Sequence, residues 1–492
     1  MQTCAEIDKI KKRRICFECV GDVYLSNEIR DHGRQRICSY CGAKQRTYTI
    51  DEISERIESA FEQHYVRTSD QPSSFEYAMI ADKESDYDWE RDGEPVVYAI
   101  MNAAEIPENA ASDIQEILAE THFDFDEAKL GEELEFSSDS YYTESSTTDE
   151  KWQEEWREFE RSLKTEARFF GRAASLLLSS VFDSIDKMQT RHGMSLVADA
   201  GPNTSISSFY RARYFQSNKM LESAIARPDK HVGPPPSSSA KAGRMNAHGI
   251  SVFYGANNPE VALAEVRPPV GSKAVVARFD IIRPIRLLDL TAIDLVTTNG
   301  SIFDSTYIER LERTMFLRNL RHRITIPVMP DDESLEYLAT QAIADFLASE
   351  NTPPLDGIIF PSVQTAGEAL NVVLFHKASR VEEIELPKGT EITTHISHMT
   401  EEGWEDDYTV YEEVPKETEE PSNKERYVFQ HILETQTIDE RPSTLKIDLD
   451  SVRVHIVESV KFKTNDYLVR RYRWEKHEHE SNSEAEMLSI DF

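Results

Sequence analysis

Four of the five cysteines stand as two Cys-x-x-Cys pairs, Cys16 with Cys19 and Cys38 with Cys41, with Gly42 after the last. Two thiolates two residues apart form a tight turn that clamps one side of a tetrahedral Zn²⁺, and a second such knuckle closes the shell. A closed four-cysteine shell leaves no open coordination position, so this zinc is expected to be structural. The second half carries a different, scattered set, each member at an edge of a strand-like run. It comprises Tyr210, Arg211 and Arg213; Arg244 and His248 in the turn from Gly243 to Gly249; Tyr254; Glu265; and Ser362, with Gly367 and Asn371 beyond. The usual nucleotide and hydrolase devices are missing: GxGxxG after a strand, GxxxxGK[ST], HExxH and GxSxG.

Taken in order, these pieces resemble the RES-domain family, bacterial toxins of toxin–antitoxin modules named for an Arg, a Glu and a Ser. The pieces are Tyr210-Arg211, the Gly-Arg-x-Asn-x-x-Gly turn at 243–249, the step at 254–256, the Ala-x-Ala-Glu run ending at Glu265, and Pro361-Ser362-Val363 with Asn371 beyond. The resemblance spans about 208–380 and resumes at 444–473. It implies NAD⁺ degradation by cleavage of the nicotinamide–ribose bond, with water or phosphate as acceptor. It also implies a fold similar to ADP-ribosyltransferases, a mixed α/β sheet without a Rossmann turn. The implied partner is a small helix-turn-helix antitoxin that blocks the NAD⁺ cleft. The amino-terminal part resembles a zinc-bearing helical accessory domain attached to some RES proteins.

Under that resemblance the residue chemistry divides as follows. Breaking an N-glycosidic bond passes through an oxocarbenium-like ribose cation, which needs a nearby carboxylate. Glu265, set in an apolar run, bonds the ribose hydroxyls and stabilises the developing charge; the alternative is a helix-end carboxylate or a salt bridge with Arg267. Arg211 and Arg244 are placed to neutralise the pyrophosphate, since guanidinium forks suit phosphate oxygens. Arg213 is a rival to Arg211 on the same strand face. Tyr254 offers a ring face to nicotinamide or a phenol to ribose, against the alternative of a core tyrosine. Ser362 bonds the nicotinamide amide or a phosphate, and without a His-Asp relay it is not expected to be a nucleophile. Asn371 orients Ser362 or Glu265, or caps a turn. Two other activities stay open: ADP-ribose transfer to a macromolecule, and a non-catalytic zinc-binding adaptor.

Composition sets the outer limits. In 492 residues there are 89 Asp and Glu against 55 Lys and Arg, a formal charge of −34. That field repels a phosphate backbone, which argues against nucleic acid as a partner and discounts the short basic run Arg321-His322-Arg323. No apolar run long enough for a membrane span is present, and no apolar stretch follows the basic residues at 9–14 as a secretory signal requires. Paired cysteines without a disulfide framework suit a reducing, cytoplasmic setting. Homo-oligomerisation stays open.

The elements that must position these residues divide the chain into a zinc ribbon at 1–50, a helical accessory domain at 51–200, a catalytic domain at 201–475 with an acidic insertion at about 400–424, and a frayed acidic tail at 476–492. The overall class is α+β. Helical periodicity is clearest in Trp152, Trp156, Phe159, Leu163, Ala167 and Phe170, a core stripe. Ser/Thr/Asp/Glu-rich residues 137–150 read as a loop, and the proline-rich stretch 228–243 as another. From Gly201 onward, strand-like runs at 252–254, 274–282, 285–290, 357–361, 371–375, 444–447 and 452–457 alternate with two helical stretches, around 308–315 and 335–346.

Overall fold

The structure, a computed structural model, describes residues 4–473 apart from 83, 167, 169–170, 327, 330, 363, 365–368, 402, 416–438 and 462–463. Ala167 and Phe170 of the helical stripe, Gly367, the end of the acidic insertion and the tail at 476–492 therefore lie outside the described residues. The class is α+β, with one large mixed sheet.

The amino-terminal cysteines sit on a small antiparallel sheet of β1 (Arg14–Cys16), β2 (Arg34–Ile37) and β3 (Lys44–Thr49), with β3 central. Thr49 and Glu52 then form a reciprocal capping box that starts the helix Ile50–His64, satisfying two orphan amide donors of its first turn. The next region is mostly helical but contains a second small sheet, β4 (Tyr65–Arg67), β5 (Glu94–Pro95) and β6 (Tyr141–Glu144), with β6 central. This corrects the loop expected at 137–150. Tyr142 is buried there and stacks on Phe136, so burial of two aromatic rings outweighs a polar local composition. One hydrophobic cluster runs from Ile7 through Ile53, Ile57 and Ile114 to Tyr142 and joins ribbon and helices.

The second half is built on eight strands: β7 (Val197–Ala200), β8 (Ser208–Phe215), β9 (Phe253–Ala256), β10 (Lys273–Ile281), β11 (Ile285–Asp289), β12 (Gly357–Pro361), β13 (Leu370–Leu374) and, after the hairpin β14 (Glu391–Thr400) and β15 (Gly403–Glu413), β16 (Leu445–Ile456). Their spatial order is β16-β10-β8-β9-β13-β12-β11-β7, antiparallel except for the β11–β12 pair. Adjacent residues on the central strands alternate between two cores. Leu287, Ile359 and Val372 face one cluster, and Leu288, Ile358 and Val373 the other, which is why these runs read as continuously apolar. The second cluster is closed by the helices Tyr307–Thr325 and Glu333–Ser349 and by Glu150–Thr165, whose stripe Trp152, Trp156, Phe159 and Leu163 is buried. Trp156 packs against Phe159 and Phe316 at ring distances of 4.7 and 5.6 Å. The proline-rich stretch holds a short helix, Pro228–His231, where a loop was expected, because Pro228 at the first helical position is already set for helical φ. Among the described residues no helix is long and apolar enough to cross a membrane.

Candidate active site

Four adjacent strands, β8, β9, β13 and β12, bring most of the chemical residues to one cleft. Arg211 lies on β8, Tyr254 on β9 and Asn371 on β13, and Ser362 directly follows β12. Register places Asn371 opposite Phe360 and Ala256, and Val373 opposite Tyr254. Glu265 departs from the expected strand edge and ends the helix Pro259–Glu265. Asn258 caps that helix by accepting the Val261 amide at 2.9 Å, and Pro259 fixes its first turn. Asn257 ties its start to β13, accepting the Leu370 amide at 3.1 Å through its side chain and donating its own amide to Leu370 O at 3.0 Å. The carboxylate one helix length away therefore faces Asn371.

Glu265 Oε1 accepts two hydrogen bonds, from Ser362 Oγ at 2.7 Å and from Asn371 Nδ2 at 2.8 Å. No described residue bonds its Oε2, and no ion pair with Arg267 forms. Ser362 Oγ in turn accepts the Gln364 amide at 3.2 Å. Its hydroxyl proton is committed to Glu265, so Ser362 positions the carboxylate. Asn371 is buried, and its Oδ1 has no hydrogen-bond partner among the described residues. A buried, unpaired carbonyl oxygen costs about 1–3 kcal/mol.

The cations are arranged differently. Arg211 donates to two backbone carbonyls, Val232 O at 2.9 Å and Tyr254 O at 2.7 Å, and lies over the Phe253 ring. Among the described residues it has no carboxylate partner. Burial, and then the like charge of Arg213, bring its guanidinium down to about 10, so it remains cationic at neutral pH but uncompensated. Its rival Arg213 is exposed, donates to His231 O and does not line the cleft. Arg244 donates to Ile324 O and lies over the Tyr337 ring at 5.5 Å. His248 is exposed. Arg321 is paired with Asp294, and Arg323 donates to Gln153, so the basic run is occupied by intramolecular contacts.

Tyr254 lines the cleft, but its phenol faces the Arg244 turn. It donates to Asn246 Oδ1 at 2.9 Å and accepts the Met245 amide at 3.0 Å, and burial pushes it up to about 12. A Cβ on Gly243 would meet the phenol oxygen at 2.8 Å, so the turn needs glycine to come this close. Asn246, buried, donates to Lys241 O, Ala247 O and Ile250 O and holds the loop that presents Arg244. The sequence marked this Asn as part of a turn but not as its organiser. Tyr254→Phe is therefore expected to lower Tm, by loss of two buried hydrogen bonds, while kcat changes little. A large fall in kcat at unchanged Tm, measured on the same preparation, would put the phenol in the chemistry instead.

The cleft has a volume of about 390 Å³ and is lined by Arg211, Arg244, Tyr254, Glu265, Arg267 and Asn371 together with Thr325, Glu333 and Tyr337. Its size falls within the range of small-ligand sites, roughly 300–1,000 Å³. Glu333 and Tyr337 come from the helix Glu333–Ser349, with Tyr337 donating to Glu333 at 3.1 Å. Their sequence stretch carries only a helical core pattern, so nothing in it announced a cleft wall.

Residues 209–395 match the family model of the RES domain. The chain carries a RES domain. No curated protein and no solved structure matches the chain. The matched stretch contains every cleft residue named above, and β16, beyond it, completes the sheet at its edge. The RES domain is a toxin-type domain associated with enzymatic action on NAD.

A second constellation lies outside the RES domain. The sulfurs of Cys16, Cys19, Cys38 and Cys41 all fall within 4.8 Å of one another, with Cys16–Cys41 at 3.5, Cys16–Cys19 at 3.6 and Cys19–Cys38 at 3.9 Å. A tetrahedron with Zn–S bonds of 2.3 Å has edges of about 3.8 Å, so the donor set fits a tetrahedral metal ion. Burial pushes the Cys16 thiol up to about 11 and works against Cys38 too. At Cys38 the amides of Cys41, Tyr40 and Cys16 outweigh burial and bring it down to about 7. A divalent cation held by the four sulfurs would supply the charge that lets all of them ionise.

Proposed function

We propose that the RES domain of this chain cleaves NAD⁺ at its nicotinamide–ribose bond. The observation that carries this reading is the double clamp on Glu265, one carboxylate oxygen fixed by Ser362 and Asn371 in a cleft lined also by Arg211, Arg244 and Arg267, none of which has an acidic partner among the described residues. An unpaired desolvated cation favours an anion beside it. Arg211 and Arg244 would take the pyrophosphate, which leaves the ribose of the nicotinamide half toward Glu265.

The chemistry then needs little from the protein beyond charge placement. The C1′–N bond breaks with both electrons going to the pyridinium nitrogen, so nicotinamide leaves neutral and needs no proton. Positive charge builds on the ribose C1′–O4′ unit, where the fixed carboxylate stabilises it without reorganising. Water then adds to C1′ and loses a proton. Asn371, through its Nδ2, would hold Glu265 in place while the charge develops.

The test is incubation of the purified full-length protein with NAD⁺, following nicotinamide and ADP-ribose by chromatography and protein mass by intact mass spectrometry. Stoichiometric nicotinamide and ADP-ribose at unchanged protein mass are expected. Absence of nicotinamide release from folded protein overturns the reading, and ADP-ribose found on protein instead of free makes the domain a transferase.

A further inference from the structure

Arg267 follows the carboxylate by two residues and occupies a position where a side chain is a burden. Its φ is +45°, in the left-handed region that a Cβ disfavours and that helices ordinarily reserve for the glycine ending them. It does this at the close of the helix Pro259–Glu265, with its amide donating to Ala264 O at 3.2 Å. Pro268 follows and restricts it further. Glycine would end this helix with less strain.

Of the described non-glycine residues with positive φ (Glu105, Phe136, Ser184 and Arg267), only Arg267 lines the cleft. Its guanidinium makes no hydrogen bond or ion pair to any described residue, although the chain as a whole is strongly acidic. Some arginines elsewhere in this protein pair with carboxylates, as Arg13 does with Asp113, Arg56 with Glu28 and Arg91 with Glu133, whereas Arg267 is exposed at the cleft and pairs with none of the described residues. Backbone strain held at a cleft, by a residue whose functional group has nothing of its own to bind, indicates a binding role.

We infer that Arg267 is a phosphate-binding residue of the cleft, a third cation beside Arg211 and Arg244 that engages the diphosphate of the bound dinucleotide. This rests on the NAD⁺ reading for its substrate. The binding claim concerns a nucleotide diphosphate and is measurable without turnover.

The decisive variant is Arg267→Gly, which removes the guanidinium and relieves the backbone together. ADP binding is measured by calorimetry, NAD⁺ cleavage by initial rates, and stability by thermal melting. Tm is expected to hold or rise. The Kd for ADP and the KM for NAD⁺ are expected to rise by about 10- to 100-fold, the scale of one charge-assisted hydrogen-bonding group, with kcat nearly unchanged. Arg267→Lys should recover part of the affinity, since it keeps the charge but not the fork. Unchanged ADP affinity and KM in Arg267→Gly overturn the inference. If wild type fails to cleave NAD⁺ yet Arg267→Gly loses ADP affinity, the NAD⁺ reading falls and the phosphate site stands.

Discussion

Replacing Glu265 with glutamine is expected to slow nicotinamide release by about 10³-fold, an effect in kcat, at nearly unchanged Tm. Glutamine keeps the shape and can still accept a hydrogen bond from Ser362 or Asn371, so the local packing survives. What it loses is the negative charge opposite the developing ribosyl cation. In the proposed reaction the carboxylate would act only as the C1′–N bond stretches, because the bound ribose is neutral and the positive charge of the ground state sits on the nicotinamide ring. An interaction that strengthens only in the transition state appears in kcat. Ser362→Ala and Asn371→Ala each remove one of the two donors to Oε1 and are expected to show smaller kcat losses than the glutamine variant. Equal activity of Glu265→Gln and wild type, with matching circular dichroism, would remove Glu265 from the chemistry and with it the mechanism.

The residues that line this cleft were legible because they stand as short pieces in an order that resembles the RES family, and the sheet explains why that order brings them together. Consecutive pieces lie on neighbouring strands, β8 to β9 and β12 to β13, so a cleft formed across strands reads as separated fragments of sequence. The helix carrying Glu265 was harder. Its apolar run is too short for a period of 3.6 to be told from a buried strand, although Asn258-Pro259 is a helix-start signal that decides the matter. Tyr254 shows a different gap. Its type and position fitted a ligand contact, but hydrogen bonds to Asn246 and Met245 depend on how the loop at 240–252 folds back, and spacing carries no such information. Arg267 was visible only as a possible partner of Glu265. Its backbone dihedral, which gives it meaning, is not a property of composition or pattern.

Metal removal is the second large effect, and it should fall on the other half of the chain. The four cysteines anchor β1 and the turn before β3, and Ile15, Val20 and Tyr48 from that ribbon share a single core with the helices up to Tyr142. A polar lock joins them as well. Asp113, buried on the helix Glu108–Thr121, receives Arg13 and, at 2.6 Å, the phenol of Tyr40. Tyr40 lies between Cys38 and Cys41, so losing a metal bound by these thiols would free the knuckle that holds it. Structural zinc contributes on the order of 10–16 kcal/mol in small four-ligand sites, as much as the whole stability of a typical domain, about 5–15 kcal/mol. Chelation, or Cys38→Ser, is therefore expected to unfold the amino-terminal core, with one calorimetric transition lost and new proteolytic cleavage between residues 4 and 145. The RES sheet has its own two clusters and should keep its transition. Metal analysis of the untreated protein should find about one zinc per chain, as one four-ligand site requires. Chelated protein that melts and resists protease like the untreated sample would show that the thiols hold nothing the fold depends on.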